Sequence, residues 1–69
     1  MKISARNQLR GRIVEIVKGA TTSHVRIDVN GSIITSAVTN EAVADLGLEV
    51  GQFAYAVIKA SSVMIGVED

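Results

Sequence analysis

Two short stretches of this sequence gather groups that donate hydrogen bonds. Ser4-Ala5-Arg6 and Lys59-Ala60-Ser61-Ser62 each set one cation among hydroxyls and small side chains. Neither is a good strand or helix interior, and small residues leave the backbone amides sterically open. Amides, hydroxyls and a cation directed at one point make an anion site, because every polar group then offers a donor to the ligand. Lys18-Gly19-Ala20-Thr21-Thr22 is a third donor-rich stretch with no large side chain to block approach. Lys, Ser and Gly are also ordinary constituents of solvated turns, and spacing alone does not choose between the two readings.

Other chemistries lack their residues. There is no cysteine, so no thiolate nucleophile, soft metal ligand or disulfide. A single histidine, His24, cannot build the multi-ligand sites that free transition-metal cations need; on the polar face of its strand it reads as a surface residue. Ser61 and Ser62 have no nearby acid–base pair to activate a hydroxyl. A serine hydrolase is thereby rejected, and the chain reads as a non-enzyme. Seven cations balance seven anions, and Phe53 and Tyr55 are the only aromatic residues. That composition argues against a nucleic-acid binder, which needs a basic surface or stacking platforms.

The balance is uneven along the chain. Residues 1–26 hold six of the seven cations, whereas Lys59 is the one cation of residues 27–69. Pairing between strands or subunits accounts for most exposed charges. Lys59 instead stands alone between an apolar strand and two serines.

The elements that must position these residues are mostly strands. Val, Ile and Thr make 22 of 69 residues, and branched side chains favour a pleated surface. Ser23 to Asn30 alternates strictly, with Val25, Ile27 and Val29 on one face, and Asn30-Gly31 supplies a hairpin turn into Ser32 to Thr39. That return strand mixes apolar and polar residues on both faces, so both are expected to be covered. Leu9 to Lys18 switches its apolar face near Gly11 to Val14, which predicts a bulge. A short helix is expected over Asn40 to Leu46, capped by Thr39 or Asn40 and closed by Gly47, with Ala42, Val43 and Leu46 inward. Phe53 to Ala60 reads as a strand apolar on both faces, and Val63 to Val67 as a fifth, with Met64 filling core. The order β-β-β-α-β-β within one domain, residues 1–69, predicts an all-β fold: a small five-stranded OB-like barrel with one short helix between strands 3 and 4. An SH3-like barrel is its rival.

Apolar residues and glycine total 38 of 69, about 55% against the usual 45–50%. A domain this small has little interior, so the surplus predicts a homo-oligomer. No run of about 20 apolar residues is present, and the N-terminal residues turn polar too soon for a secretory signal. No membrane association and a cytoplasmic location are the expectations.

The motifs themselves resemble a known family. Ser4-Ala5-Arg6-Asn7-Gln8-Leu9 followed by Gly11, then Lys18-Gly19-Ala20, Ile34-Thr35-Ser36, Leu46-Gly47-Leu48 with Gly51, and Val57 to Ile65 are similar, in order, to the molbindins. These are small cytoplasmic Mop-type molybdate-binding proteins of bacteria, with an OB-like domain of the TOBE class. The resemblance covers nearly the whole chain. It looks like the free-standing binding protein rather than the related domains of molybdate-responsive regulators and transporter ATPases. It implies a hexamer built as a trimer of dimers, binding molybdate or tungstate between subunits for storage or homeostasis. The family's oxyanion-binding residues fall on Ser4, Ala5, Arg6, Lys59, Ala60 and Ser61. A second site class falls less directly on Gly19, Ala20, Thr21, Thr22 and Thr39. Two readings of other classes stand beside it: an OB-type module for single-stranded nucleic acid, and a purely structural assembly module.

Overall fold

A computed structural model describes residues 1–69. The chain runs β1 (Asn7–Lys18), β2 (Thr22–Val29), β3 (Ser32–Thr39), α1 (Asn40–Leu46) and β4 (Phe53–Ile58), then a 3-10 turn over Ala60–Ser62. The strands form one curled antiparallel sheet in the order β3-β2-β1-β4.

β1 serves both halves of this sheet. Its first half, Asn7 to Arg12, pairs with Ile58 to Phe53 of β4, and Arg12 to Lys18 pairs with Asp28 to Ser23 of β2. The register slips between Ile13 and Glu15. Gly11 and Ile13 are buried on one side of this bulge, and beyond it Ile16 is the half-buried residue. The extra residue therefore turns the apolar face over, as the sequence pattern predicts. Gly11 packs directly against β2. A methyl group there would press into the Asp28 carbonyl oxygen and sit 2.7 Å from Ile27 Cγ2.

The β2–β3 hairpin turns on Asn30 (φ 51°) and Gly31 (φ 93°), and Asp28 Oδ1 accepts the Gly31 amide at 2.7 Å. Two successive positive φ values match the right-handed twist of the flanking strands. Thr39 is the helix cap, its Oγ1 accepting from the Ala42 amide at 3.0 Å, and Gly47 closes the helix at φ 62°. Asn40 has another task. Its Nδ2 donates to the Gly19 carbonyl at 3.0 Å, and its Oδ1 accepts from buried Ser23 at 2.6 Å. The head of the helix is thereby tied to the β1–β2 loop.

Several expectations give way. The sheet has four strands rather than five and is not a closed barrel. Residues 63–69 form no strand, and Met64 is 90% exposed instead of filling core. The physical reason is the 3-10 turn, which ends β4 at Ile58 rather than Ala60 and sends the following residues away from the sheet edge. Neither β3 nor β4 is covered on both faces: Ile33, Phe53 and Tyr55 are exposed. Val43 packs on the core but Leu46 does not, because the helix stops after two turns. Only Ile13, Val25, Ile27 and Ala56 are buried apolar side chains. The apolar surplus stays on the surface.

Candidate functional site

The chain's two donor-rich stretches meet although more than fifty residues separate them. The first pair of the β1–β4 ladder, Asn7 with Ile58, brings Ser4–Arg6, just before β1, beside Lys59–Ser61, just after β4. Side chains reinforce the junction. Asn7 Nδ2 donates to the Ile58 carbonyl at 3.2 Å, and Gln8 Nε2 donates to the Ala5 carbonyl at 2.8 Å. The first bond ties the start of β1 to the end of β4, and the second holds the Ala5 carbonyl of the first stretch.

Ser4, Ala5, Arg6, Lys59, Ala60 and Ser61 line one open cleft of about 660 Å³, walled by Ile3 and Val57. All six residues named from the sequence are therefore together. The amides of Ser4, Ala5, Arg6, Ala60 and Ser61 make no backbone hydrogen bond within the chain; the turn uses only those of Ser62, donated to the Lys59 carbonyl at 2.9 Å, and Val63. Neither Arg6 nor Lys59 pairs with a carboxylate. The one ion pair in the chain joins Arg26 to Glu15 across β1 and β2, and no carboxylate lines the cleft. Such a surface offers charge and donors to an anion and has no carboxylate to repel it.

The residues of the second expected site do not reach this cleft. Gly19, Ala20, Thr21 and Thr22 gather with Thr39 at the other end of the sheet, where Thr22 pairs with Thr39 across β2 and β3. Much of that cluster is already engaged. Gly19 N–H donates to the Thr22 carbonyl at 2.7 Å, the Thr21 carbonyl accepts from the Asn40 amide at 2.9 Å, and Thr39 Oγ1 caps α1. The amides of Ala20 and Thr21 remain without a partner in the chain.

The sequence motif contained Asn7 and Gln8 but gave no sign of their role as braces. A side-chain amide bonded to a backbone carbonyl 51 residues away leaves no trace in local spacing. Ile3 and Val57 were likewise not singled out as cleft walls. The only signal for Val57 is its place two residues before Lys59.

Comparison with known proteins adds four findings. Residues 3–65 match the TOBE domain family. The chain is 55% identical over 69 residues to a probable molybdenum-pterin-binding protein of Haemophilus influenzae, covering 99% of this chain and 100% of that protein. Among solved structures, a molybdate-binding protein from Sporomusa ovata superposes with a TM-score of 0.92 at 37% identity, covering 97% of this chain and 100% of that one. The cytoplasmic molybdate-binding protein ModG, with molybdate bound, gives a TM-score of 0.91 at 49% identity over 99% of this chain and 49% of its own.

Proposed function

From a chain that belongs to the TOBE-domain family, in its Mop-type molybdate-binding branch, we propose a protein that binds molybdate, or tungstate, as an intact oxyanion for storage or homeostasis in the cytoplasm. The observation that carries this reading is the donor-lined cleft, where Arg6 and Lys59 face solvent with no carboxylate partner. Molybdate at neutral pH is a tetrahedral dianion with four acceptor oxygens and no proton to donate. Arg6 and Lys59 offset its charge, while the Ser4 and Ser61 hydroxyls and the free amides set the geometry. No bond is made or broken within the anion, so binding needs no acid–base or redox group.

Sulfate carries the same charge, so charge cannot exclude it. Cavity size does, since a smaller anion leaves fixed donors too distant for good hydrogen bonds. The cleft is open and far larger than a five-atom anion, which supports completion of the site by a second chain. The working form read here is a homo-oligomer; the hexamer arranged as a trimer of dimers, with the anion between subunits, is what the resemblance to the molbindins implies. The Gly19–Thr22 and Thr39 cluster, with its two free amides, is a second anion position in the same assembly.

Calorimetric titration of the purified protein with molybdate, tungstate and sulfate tests this. Heat is expected with the first two and at least tenfold weaker binding of sulfate. Equal affinity for all three, or no heat with molybdate, overturns the reading. The nucleic-acid alternative is weakened by one contact set. The exposed ring of Phe53 already carries the guanidinium groups of Arg10 and Arg12, at 4.1 and 4.7 Å from its centre, which occupies a surface that a base would stack on.

A further inference from the structure

The chain is neutral only in sum. Residues 1–12 and 50–67 hold Lys2, Arg6, Arg10, Arg12 and Lys59 and not one Asp or Glu, whereas the remaining residues hold two cations and all seven anions. Antiparallel pairing of β1 with β4 brings the two positive segments together as one ribbon. The cleft lies at the end of this positive ribbon, because Ser4–Arg6 precede the ladder's first pair, Asn7 with Ile58, and Lys59 follows it.

Arg6 and Lys59 line the cleft, but Arg10 and Arg12 do not. Along β1 they stand three and five residues beyond Asn7, roughly 10 and 17 Å at the rise of a strand. Both are exposed, and both guanidinium groups lie over the Phe53 ring, at 4.1 and 4.7 Å from its centre. The ring's quadrupole holds them there without cancelling their charge. Arg10 faces Tyr55 across the ladder, and no carboxylate pairs with either arginine. Asp28 of β2 is opposite Arg12, yet its Oδ1 accepts the Gly31 amide instead. On an anion in the cleft these two cations act only through their field. The field reaches it in dilute salt, where the screening length is about 30 Å at 0.01 M.

We propose that Arg10 and Arg12 are steering residues: they draw the dianion to the β1–β4 ribbon and speed its entry into the cleft, without touching it once bound. The inference rests on the reading of the cleft as an oxyanion site. A group of like charges beside a site enriches the oppositely charged ligand locally and raises its association rate, an effect that salt removes. Selectivity among dianions is untouched, because the field acts on sulfate and molybdate alike. The arginines set the rate, and the cleft sets the choice.

Rapid mixing of the full chain with radiolabelled molybdate, chased by excess unlabelled molybdate, measures association, and loss of label from the loaded protein measures release. At about 0.01 M salt, the double variant Arg10→Gln/Arg12→Gln should associate roughly fourfold more slowly, as Coulomb's law in water gives for a dianion at those distances. Its release rate should stay within about twofold of wild type. At about 1 M salt, where the screening length is about 3 Å, the association rates should coincide. Arg10→Lys/Arg12→Lys keeps the charge on a different head group and should restore rapid association. A Lys variant as slow as the Gln variant overturns the proposal, because the loss then belongs to packing on Phe53. Uptake by the Gln variant as fast as wild type at low salt removes the steering alone and leaves the reading of the cleft intact. No uptake of label by the wild type overturns both.

Discussion

Arg6 and Lys59 bring positive charge to one cleft with no carboxylate beside them, so their energies are spent outside the chain. Replacing either by Ala should leave the melting temperature of the ligand-free protein within a degree or two. It should weaken molybdate binding roughly 10- to 100-fold, the range for one charge-assisted hydrogen bond at about 1.5–3 kcal/mol. Unchanged affinity in both variants by calorimetry would show that the cleft is incidental. Gly11 is the opposite case, with no part in the cleft and a large part in the fold. A Cβ there meets backbone as well as the Ile27 side chain, and backbone cannot move aside. Gly11→Ala should cost about 3 kcal/mol in urea unfolding, the upper range for overpacking; a variant as stable as wild type would mean that the two strands part freely. At this scale the sequence was most legible for the donors, because Ser, Arg and Lys in open stretches announce what they can do. It was mute about the brace at Asn7, whose partner, the Ile58 carbonyl, is set by the β1–β4 register rather than by neighbours in sequence.

The elements divide in the same way. Asn30-Gly31, the bulge in β1 and the Gly47 exit could be read locally because each depends on the conformational freedom or periodicity of a few adjacent residues. The choice of Thr39 over Asn40 as helix cap could not, since both can accept from the same amides. It is decided by Asn40 being taken by Gly19 and Ser23. Thr39→Ala should therefore destabilise the fold by about 1 kcal/mol, with Thr39→Ser near wild type. A thermal melt of the two variants checks it, and equal loss in both would show that the Thr39 methyl, not the cap, is what matters. The segment 63–67 reads as a strand in the sequence, yet the chain forms none there, because the 3-10 turn over Ala60–Ser62 ends the ladder at Ile58 and leaves no local trace in composition.

For the whole molecule, the apolar excess in the composition has a visible destination. A core of four buried apolar side chains cannot absorb it, and the remainder lies exposed on β3 and β4, on residues 63–67 and around an open hollow floored by Ile13, Val25 and Ile27. The uneven distribution of charge likewise acquires a location. The two cations that lack carboxylate partners at the cleft come from opposite ends of the chain, so neither half alone would show a site. The open hollow also has a kinetic consequence. With no proline and no cysteine in the chain, the two usual sources of slow refolding, X-Pro isomerisation and disulfide reshuffling, are absent. In the homo-oligomer proposed above, the step that remains slow is the association of chains. Refolding from urea should then follow second-order kinetics, its half-time shortening in proportion as protein concentration rises. A half-time independent of concentration in stopped-flow dilution would mean that each chain reaches its final state alone.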